Sequence, residues 1–218
     1  CDIGDSEFNG TSRYPSPQLK DRSNISMCQG AALGLRHTNS NISMSGGLGI
    51  LRDQRGNDQY EASVYAQGTG YWQGTGMLID GQGYDSYDAQ YYAQGIGVHF
   101  AQGIHIDQGQ EDDVYGAKIE NQGLSLGAGH DFGIGVSVNE GGNDQYHVDK
   151  YSVGGTSCNG RGLFLEISGQ DSYFIGNAHS LGVGNAGECL NSRENAPSIG
   201  IMLDGDGNDE YIHLDGAE

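Results

Sequence analysis

The sequence predicts an all-β fold: a parallel β-helix, or β-solenoid, of about six coils with three short strands in each coil. The first observation is a block ending in Asp-x-Tyr that recurs six times, with steps of 27, 28, 31, 27 and 38 residues between its tyrosines. The second is a composition of 39 glycines and 3 prolines, which is typical of many short strands and tight turns. A period near 27 residues with occasional insertions indicates a solenoid in which each copy forms one coil.

The elements of one coil follow from the pattern within each repeat. The first strand alternates apolar side chains with others, as in residues 49–53, 103–107, 135–139 and 162–166. A period of two places one side chain inward and the next outward. A glycine-containing turn follows, then a second strand that carries the tyrosine. A third stretch contains Ala-Gln-Gly or a related sequence, so we expect Gln67, Gln94 and Gln122 to form an amide-to-amide column along the axis.

The chain divides into a cap and a repeat domain. Residues 29–218 are predicted to form the β-solenoid, in one folding unit of a size typical of single domains. Residues 1–28 are rich in Ser, Asn, Pro and charged side chains, which favours an irregular N-terminal cap. Such a cap would cover the open edge that the first coil exposes.

The charge balance limits the classes of molecule that the protein is expected to bind. Ten basic and 29 acidic side chains give a formal net charge of −19, which disfavours nucleic acid and anionic lipid surfaces. The sequence has no apolar run of the roughly 18 residues that a membrane span needs. Cations, calcium above all, are therefore the expected partners. A second copy of the chain, as a homo-oligomer or fibre, and a surface polysaccharide are the further partners we consider.

Four cysteines lack the close C-x-x-C spacing of a zinc site. We expect two disulfides, Cys1 with Cys28 and Cys158 with Cys189, although four cysteines allow three pairings. Disulfides predict an oxidising location, so the protein is expected to be secreted, at the cell surface or periplasmic. The alternative is that Cys1 is the lipid-bearing first residue of a bacterial lipoprotein, which would leave one cysteine unpaired.

Two acidic columns flank the turn between the first and second strands. Carboxylates stacked at the inter-strand spacing of about 4.8 Å repel one another unless a cation compensates their charge. Calcium takes six to eight oxygen ligands from carboxylates and backbone carbonyls. The alternative is that each Asp only caps its turn through a hydrogen bond to the backbone. The candidate calcium ligands are Asp53, Asp80, Asp107 and Asp204 in the first column, which also contains Asn139 and Glu166, and Asp58, Asp85, Asp113, Asp144, Asp171 and Asp209 in the second.

One of these turns is similar to a known calcium-binding repeat. Residues 204–212, Asp-Gly-Asp-Gly-Asn-Asp-Glu-Tyr-Ile, resemble the G-G-x-G-x-D-x-U-x nonapeptide of the RTX family, as do residues 141–146. The resemblance covers one turn per coil, and the steps here are about three times longer than nine residues. It implies a calcium-binding turn within a wider coil and a secreted protein of the kind that includes toxins, proteases, lipases, adhesins and surface-layer proteins.

A second candidate site is a ligand face formed by Trp72, His99 and His130. His37, His99 and His130 follow a Gln-Gly pair at offsets of eight, five and eight residues, which suggests that they gather on one lateral face with Trp72, Phe100, Asp131 and Phe132. Such a face suits a carbohydrate or a transition metal; scattered surface histidines are the alternative.

The sequence contains no nucleophile elbow, phosphate loop or zinc-protease helix, and we assign no catalytic residue. Three functions remain as hypotheses. The first is an extracellular calcium-binding solenoid with a structural, adhesive or surface-assembly role, and the second is a β-helix that binds or cleaves polysaccharide. The third is a self-assembling filament subunit.

Overall fold

The predicted parallel β-solenoid is confirmed. The structure, a computed structural model, describes residues 7–9, 26–34, 46–118, 123–185 and 196–214. Within these ranges every regular element is a β-strand, and the strands form four sheets in which each pairing is parallel. No helix among them has the length and hydropathy to cross a membrane. The chain visits the four sheets in a fixed order, and we number them I to IV in that order.

Sheets I and II contain the first and second strands that the sequence predicts. The strands of sheet I are β4 (Leu48–Arg52), β8 (Thr75–Asp80), β12 (Gln102–Asp107), β15 (Ile134–Asn139), β18 (Arg161–Glu166) and β21 (Ile199–Asp204). The strands of sheet II are β1 (Glu7–Asn9), β5 (Gln59–Glu61), β9 (Ser86–Asp88), β13 (Val114–Tyr115), β16 (Gln145–Val148), β19 (Ser172–Ile175) and β22 (Glu210–His213).

Sheets III and IV divide the predicted third strand into two. Sheet III comprises β2 (Ser26–Cys28), β6 (Val64–Ala66) and β10 (Tyr91–Ala93). Sheet IV comprises β3 (Ala32–Leu33), β7 (Gly70–Tyr71), β11 (Gly97–Val98), β14 (Gly129–His130), β17 (Thr156–Ser157) and β20 (Gly184–Asn185).

A corner of left-handed backbone separates these two short strands. The coils that contain both strands therefore have four sides. Gln67 and Gly68 have φ angles of 53° and 80°. A Cβ atom on Gly68 would lie 2.1 Å from the backbone oxygen of Ile104, which lies in sheet I two coils later. The sharp turn and the close approach of Ile104 both require a residue without a side chain.

The register between coils follows the sequence repeat. Tyr60 is opposite Tyr87, and Tyr173 is opposite Tyr211 although 38 residues separate them. In sheet I, Gly76 pairs with Gly49 on one side and Gly103 on the other. The extra residues of the longer steps therefore lie between strands and leave the stacking unchanged.

Two strands of the segment predicted as a cap continue the sheets of the solenoid. Glu7–Asn9 (β1) pairs in parallel with β5, and Ser26–Cys28 (β2) pairs in parallel with β6. These parts of residues 1–28 thus add to the stacked sheets. The remainder of the predicted cap lies outside the described residues.

A ladder of tyrosines forms the centre of the interior. Neighbouring rings stack almost in parallel, with centroids 4.7 to 4.9 Å apart. This spacing matches the distance between paired strands. All but the last ring are fully buried. The ladder consists of Tyr60, Tyr87, Tyr115, Tyr146, Tyr173 and Tyr211.

The predicted amide-to-amide glutamine column is wrong. Gln67 Nε2 donates to the backbone oxygens of Tyr60 (3.0 Å) and Asp88 (3.1 Å), and Gln94 Nε2 donates to that of Tyr87 (2.9 Å). These side chains bond the adjacent backbone rather than one another, which satisfies buried carbonyls. Leu126 takes the next position in the column, since Gly127 N bonds Gln94 O, and Gln122 lies outside the described residues.

One of the two predicted disulfides is also wrong. Cys28 is a free thiol, and burial raises its pKa to about 11, so it forms no bond to Cys1. Cys158 is disulfide-bonded. Its predicted partner Cys189, like Cys1, lies outside the described residues, and the pairing of Cys158 with Cys189 stays a prediction.

Candidate metal centres

The two acidic columns are buried at the turn that joins sheet I to sheet II. The first column lies at the end of the strands of sheet I, with Asp53 directly after β4, and the second column precedes each strand of sheet II except β1. Ten of the twelve side chains, all but Asp204 and Asp209 of the last coil, are at most 3% exposed. Carboxylates are almost never this buried unless they are paired or bind a cation, so the columns need a physical account.

The second column forms a hydrogen-bonded ladder along the axis. From Asp85 to Asp209, each Asp accepts, at one side-chain oxygen, the backbone N–H of the equivalent Asp one coil earlier. Asp85 Oδ1 accepts from Asp58 N at 2.7 Å, and Asp113 Oδ1 accepts from Asp85 N at 2.7 Å. The same bond recurs from Asp144 and Asp171. This ladder bond occupies Oδ1 of each carboxyl group, and Oδ2 takes no part in it.

The first column bonds both to its own turn and to the tyrosine ladder. Asp107 Oδ1 accepts the backbone N–H of Gly109 at 3.0 Å, which is the turn cap considered above. Asp107 Oδ2 accepts the hydroxyl of Tyr87, from the preceding coil, at 2.7 Å. Tyr60 donates in the same way to Asp80, and Tyr146 to Glu166. The caps therefore exist, but they account for only part of each column.

The two columns meet in four groups of three carboxyl groups. Each group combines second-column residues of two successive coils with the first-column residue of the later coil, and its ligand oxygens lie within 4.8 Å of one another. Oxygens that contact one calcium ion at about 2.4 Å can be at most about 4.8 Å apart. The groups are Asp58, Asp80 and Asp85; Asp85, Asp107 and Asp113; Asp144, Glu166 and Asp171; and Asp171, Asp204 and Asp209.

The four groups form two linked pairs, because Asp85 belongs to the first two groups and Asp171 to the last two. Between the pairs, Asn139 replaces the first-column acid. Its Nδ2 donates to Asp144 Oδ2 at 2.7 Å and to the Tyr146 hydroxyl at 2.9 Å. An amide N–H thus supplies the positive partner for Asp144 at the one interval where three carboxyl groups do not converge.

The other carboxyl groups have no such donor. Asp85 Oδ2, Asp113 Oδ2, Asp171 Oδ2 and Glu166 Oε1 are buried and accept no hydrogen bond. Leaving a buried polar atom without a partner costs about 1 to 3 kcal/mol, and more if it is charged. All four atoms belong to members of the three-carboxylate groups, and Asp144, a member of the third group, has an amide donor in Asn139 instead. A buried carboxyl oxygen without a donor favours a proton or a cation as its partner.

Burial and mutual repulsion raise the pKa of these groups. Burial is the largest cause at Asp113, whose pKa it raises to about 11, and the charge of Asp107 adds to it. Burial and Asp80 raise the pKa of Asp85 to about 9. Burial raises the pKa of Glu166 to about 9 as well. Without a cation, the ionised forms of these side chains are therefore disfavoured at neutral pH.

Nine of the ten predicted ligands lie in the four groups, and Asp53 lies in none of those found among the described residues. Asp53 Oδ1 instead caps its own turn by accepting Gln54 N at 2.6 Å. Glu166 is an additional member that was not counted as a ligand, although its place in the first column was the signal. Asn139, in contrast, donates to Asp144, and in the described part of the chain no group of three carboxyl groups forms between Asp113 and Asp144.

The structure also brings together the side chains of the predicted ligand face, at the corner that follows sheet IV. The Trp72 ring stacks on His99 with centroids 4.4 Å apart, and His99 Nδ1 bonds Asp131. The His130 ring lies 5.9 Å from that of His99, and its Nδ1 bonds Ser157 Oγ at 2.7 Å. The described contacts thus engage one face of Trp72 and one nitrogen of each histidine within the protein.

The backbone of this corner is left-handed at two successive residues in four of the described coils, for example Trp72 and Gln73 with φ of 44° and 61°. Gly74 N bonds Tyr71 O at 3.2 Å, so the corner is a type I′ turn, which usually contains Asn or Gly. Bulky residues in this conformation are strained. The ring stacking along the column offsets that strain, which is a structural role for these aromatic residues.

The chain matches no protein-family model, and no match was found among curated proteins or solved structures.

Proposed function

We propose that this chain is a calcium-binding β-solenoid that acts outside the cytosol in a structural or adhesive role. The observation that carries the proposal is the set of buried carboxylate oxygens that accept no hydrogen bond within the four three-carboxylate groups. Calcium fits these groups because it favours hard oxygen ligands and flexible geometry, and the nearby turns offer further backbone carbonyls.

The location follows from the same chemistry. A chain of formal net charge −19 with stacked acidic columns is stabilised where calcium is abundant. Ligand binding to the folded state alone adds to stability in proportion to the logarithm of free ligand concentration. The disulfide at Cys158 supports an oxidising compartment. The resemblance of residues 141–146 and 204–212 to the RTX turn agrees with both points. A rigid stack of coils suits a surface layer or an adhesin.

The shared carboxyl groups give a sharp test of calcium stoichiometry. We expect the wild-type chain to bind four calcium ions, Asp113→Asn to bind three and Asp85→Asn to bind two, because Asp85 belongs to two groups and Asp113 to one. An Asn side chain keeps an oxygen that can accept the ladder hydrogen bond. Calorimetric titration with calcium chloride and metal analysis of the dialysed protein would measure the three values.

The matched control is Asp206→Asn, an exposed carboxylate in the turn before β22 that belongs to none of the four groups. It should bind as many ions as the wild type. A wild-type chain that binds no calcium, or equal stoichiometry in Asp85→Asn and Asp113→Asn, would contradict the proposal.

Substitution of Asn139 tests whether a third carboxyl group would create a calcium site between the two linked pairs of groups. Asn139→Asp places a third carboxyl group beside Asp113 and Asp144 and removes the amide donor to Asp144. We expect a fifth calcium ion. In EGTA the midpoint of thermal unfolding should fall by about 10 °C, because an uncompensated buried charge costs about 3 to 5 kcal/mol. Calcium should restore the loss. A variant that is equally destabilised with and without calcium would show that no ion enters this interval.

A further inference from the structure

The outer face of sheet I is apolar over six consecutive strands. In each strand the alternate residues that point away from the core are exposed or half-buried. The central outward column is entirely aliphatic or methionine: Ile50, Met77, Ile104, Val136, Leu163 and Ile201. The neighbouring column continues from Ile79 in β8 to Leu203 in β21 with aliphatic side chains only.

Several of these side chains are open to solvent. Leu48 is 71% exposed, Ile50 is 56% exposed and Leu203 is 52% exposed. In the middle coils the outward side chains of the two inner positions are half-buried. The result is a continuous apolar surface rather than isolated exposed residues, which is the pattern that marks an interaction site.

The charge of this face differs from that of the rest of the chain. Its outward positions contain no acidic residue, although the chain as a whole has a formal net charge of −19. The two charged outward residues are Arg52 and Arg161, which lie in opposite outer columns of the sheet. An apolar centre with charges confined to the margin is the arrangement of a protein interface.

The outer face of sheet II shows that exposure alone does not require this pattern. The first outward positions of its strands are mostly polar and include Gln59, Ser86, Gln145 and Ser172. The two sheets thus differ in polarity at the first outward position of their strands.

The dimensions of the face fit a sheet of the same kind. Six strands at about 4.8 Å spacing and six residues at about 3.3 Å rise give a projected area of about 550 Å². Two such faces would together bury about 1,100 Å², which exceeds the roughly 1,000 Å² expected of a specific interface. Twisted sheets pack face to face about 10 Å apart, with their side chains interdigitated.

We propose that the outer face of sheet I is the interface of a homodimer, in which the same face of a second copy packs against it. The pairing is isologous and therefore closed. A lipid surface fits less well, because the face offers two arginines against the net negative charge of the chain. A sugar surface fits less well because the outward positions of sheet I contain no aromatic ring on which a pyranose could stack.

Sedimentation of the full chain in calcium and 0.15 M salt, over concentrations from micromolar to millimolar, tests the interface. We expect a concentration-dependent dimer. Ile106→Lys, in the third of the six strands, should raise the dissociation constant at least ~100-fold, because it places an unpaired charge in the interface. Leu165→Lys provides a second variant in the same column. Gln145→Lys, on the outer face of sheet II, is the matched control and should leave the constant unchanged.

Circular dichroism and calcium stoichiometry would show that each variant is folded. A wild-type chain that stays monomeric throughout would overturn the proposal, since the face would then be covered by another part of the chain or by a different partner. A dimer that survives both Ile106→Lys and Leu165→Lys would also overturn it, because the copies would then meet through another surface.

Discussion

Removal of calcium at pH 8 is expected to lower the midpoint of thermal unfolding by at least about 20 °C. Each site adds about 2.7 kcal/mol when calcium is present at 100 times its dissociation constant. Four such sites add about 11 kcal/mol, and 1 kcal/mol corresponds to about 2 to 4 °C in a domain of this size. Circular dichroism melts in EGTA and in millimolar calcium chloride would measure the shift.

Magnesium is the control for ionic strength and divalent charge. It requires nearly ideal octahedral geometry and gives up its water reluctantly, so millimolar magnesium should restore less than half of the shift. Equal midpoints in EGTA and calcium would show that the aspartates act only as turn caps. Equal recovery by the two ions would show a general charge effect rather than built calcium sites.

Stability is expected to fall with rising pH in EGTA, and this fall should be largely absent in saturating calcium. In EGTA the buried carboxyl groups hold protons in the folded state at pH values where they are ionised in the unfolded chain. Their pKa values are raised to about 8 at Asp144, about 9 at Asp85 and Glu166, and about 11 at Asp113. The folded state therefore binds more protons, and stability must fall as pH rises.

Asp85 shows how one carboxyl group makes stability fall as pH rises. The contribution of Asp85 is fully present below the pKa of the unfolded carboxyl, near 4, and is lost as pH rises through its folded value of about 9. In EGTA the unfolding midpoint should fall by at least about 10 °C between pH 7 and 9.5. In saturating calcium the ligands are ionised in the folded state, so the calcium-dependent stabilisation should grow with pH.

Measurements above pH 7 avoid a second effect on stability, that of His105, which has the opposite pH dependence. Its ring is fully buried in the core, and burial lowers its pKa to about 3. The unfolded chain therefore binds an additional proton below about pH 6.5, which destabilises the folded state in acid. Melts at pH 7, 8, 9 and 9.5, with and without calcium, would separate the two effects. Parallel curves in EGTA and calcium would contradict proton and calcium competition at the carboxyl groups.

The repeat made much of the fold predictable. Identical short patterns stack in register because each coil offers the next one the same hydrogen-bonding edge and the same side-chain columns. The opposition of Tyr60 and Tyr87, and of Tyr173 and Tyr211, followed from the spacing alone. The convergence of the two acidic columns at one turn followed in the same way.

Features that depend on contacts between different sides of the coil were not predictable. The division of the third strand arises where Gly68 approaches Ile104 in sheet I two coils later, and no local pattern reveals that distance. The glutamine side chains bond carbonyls of sheet II rather than one another, because those carbonyls lie across the interior. Neither feature has a signature within the repeat itself.

The solenoid, its register and the acidic columns are predictable because they depend on residues that repeat at fixed spacing in the sequence. Which carboxyl oxygens find a hydrogen-bond donor depends on the folded chain. Asp144 finds an amide donor in Asn139, whereas Asp85 and Asp113 each keep a buried oxygen that accepts no hydrogen bond. The physical reason is that burial and hydrogen-bond direction depend on side chains from neighbouring coils, which are 27 or more residues away in sequence.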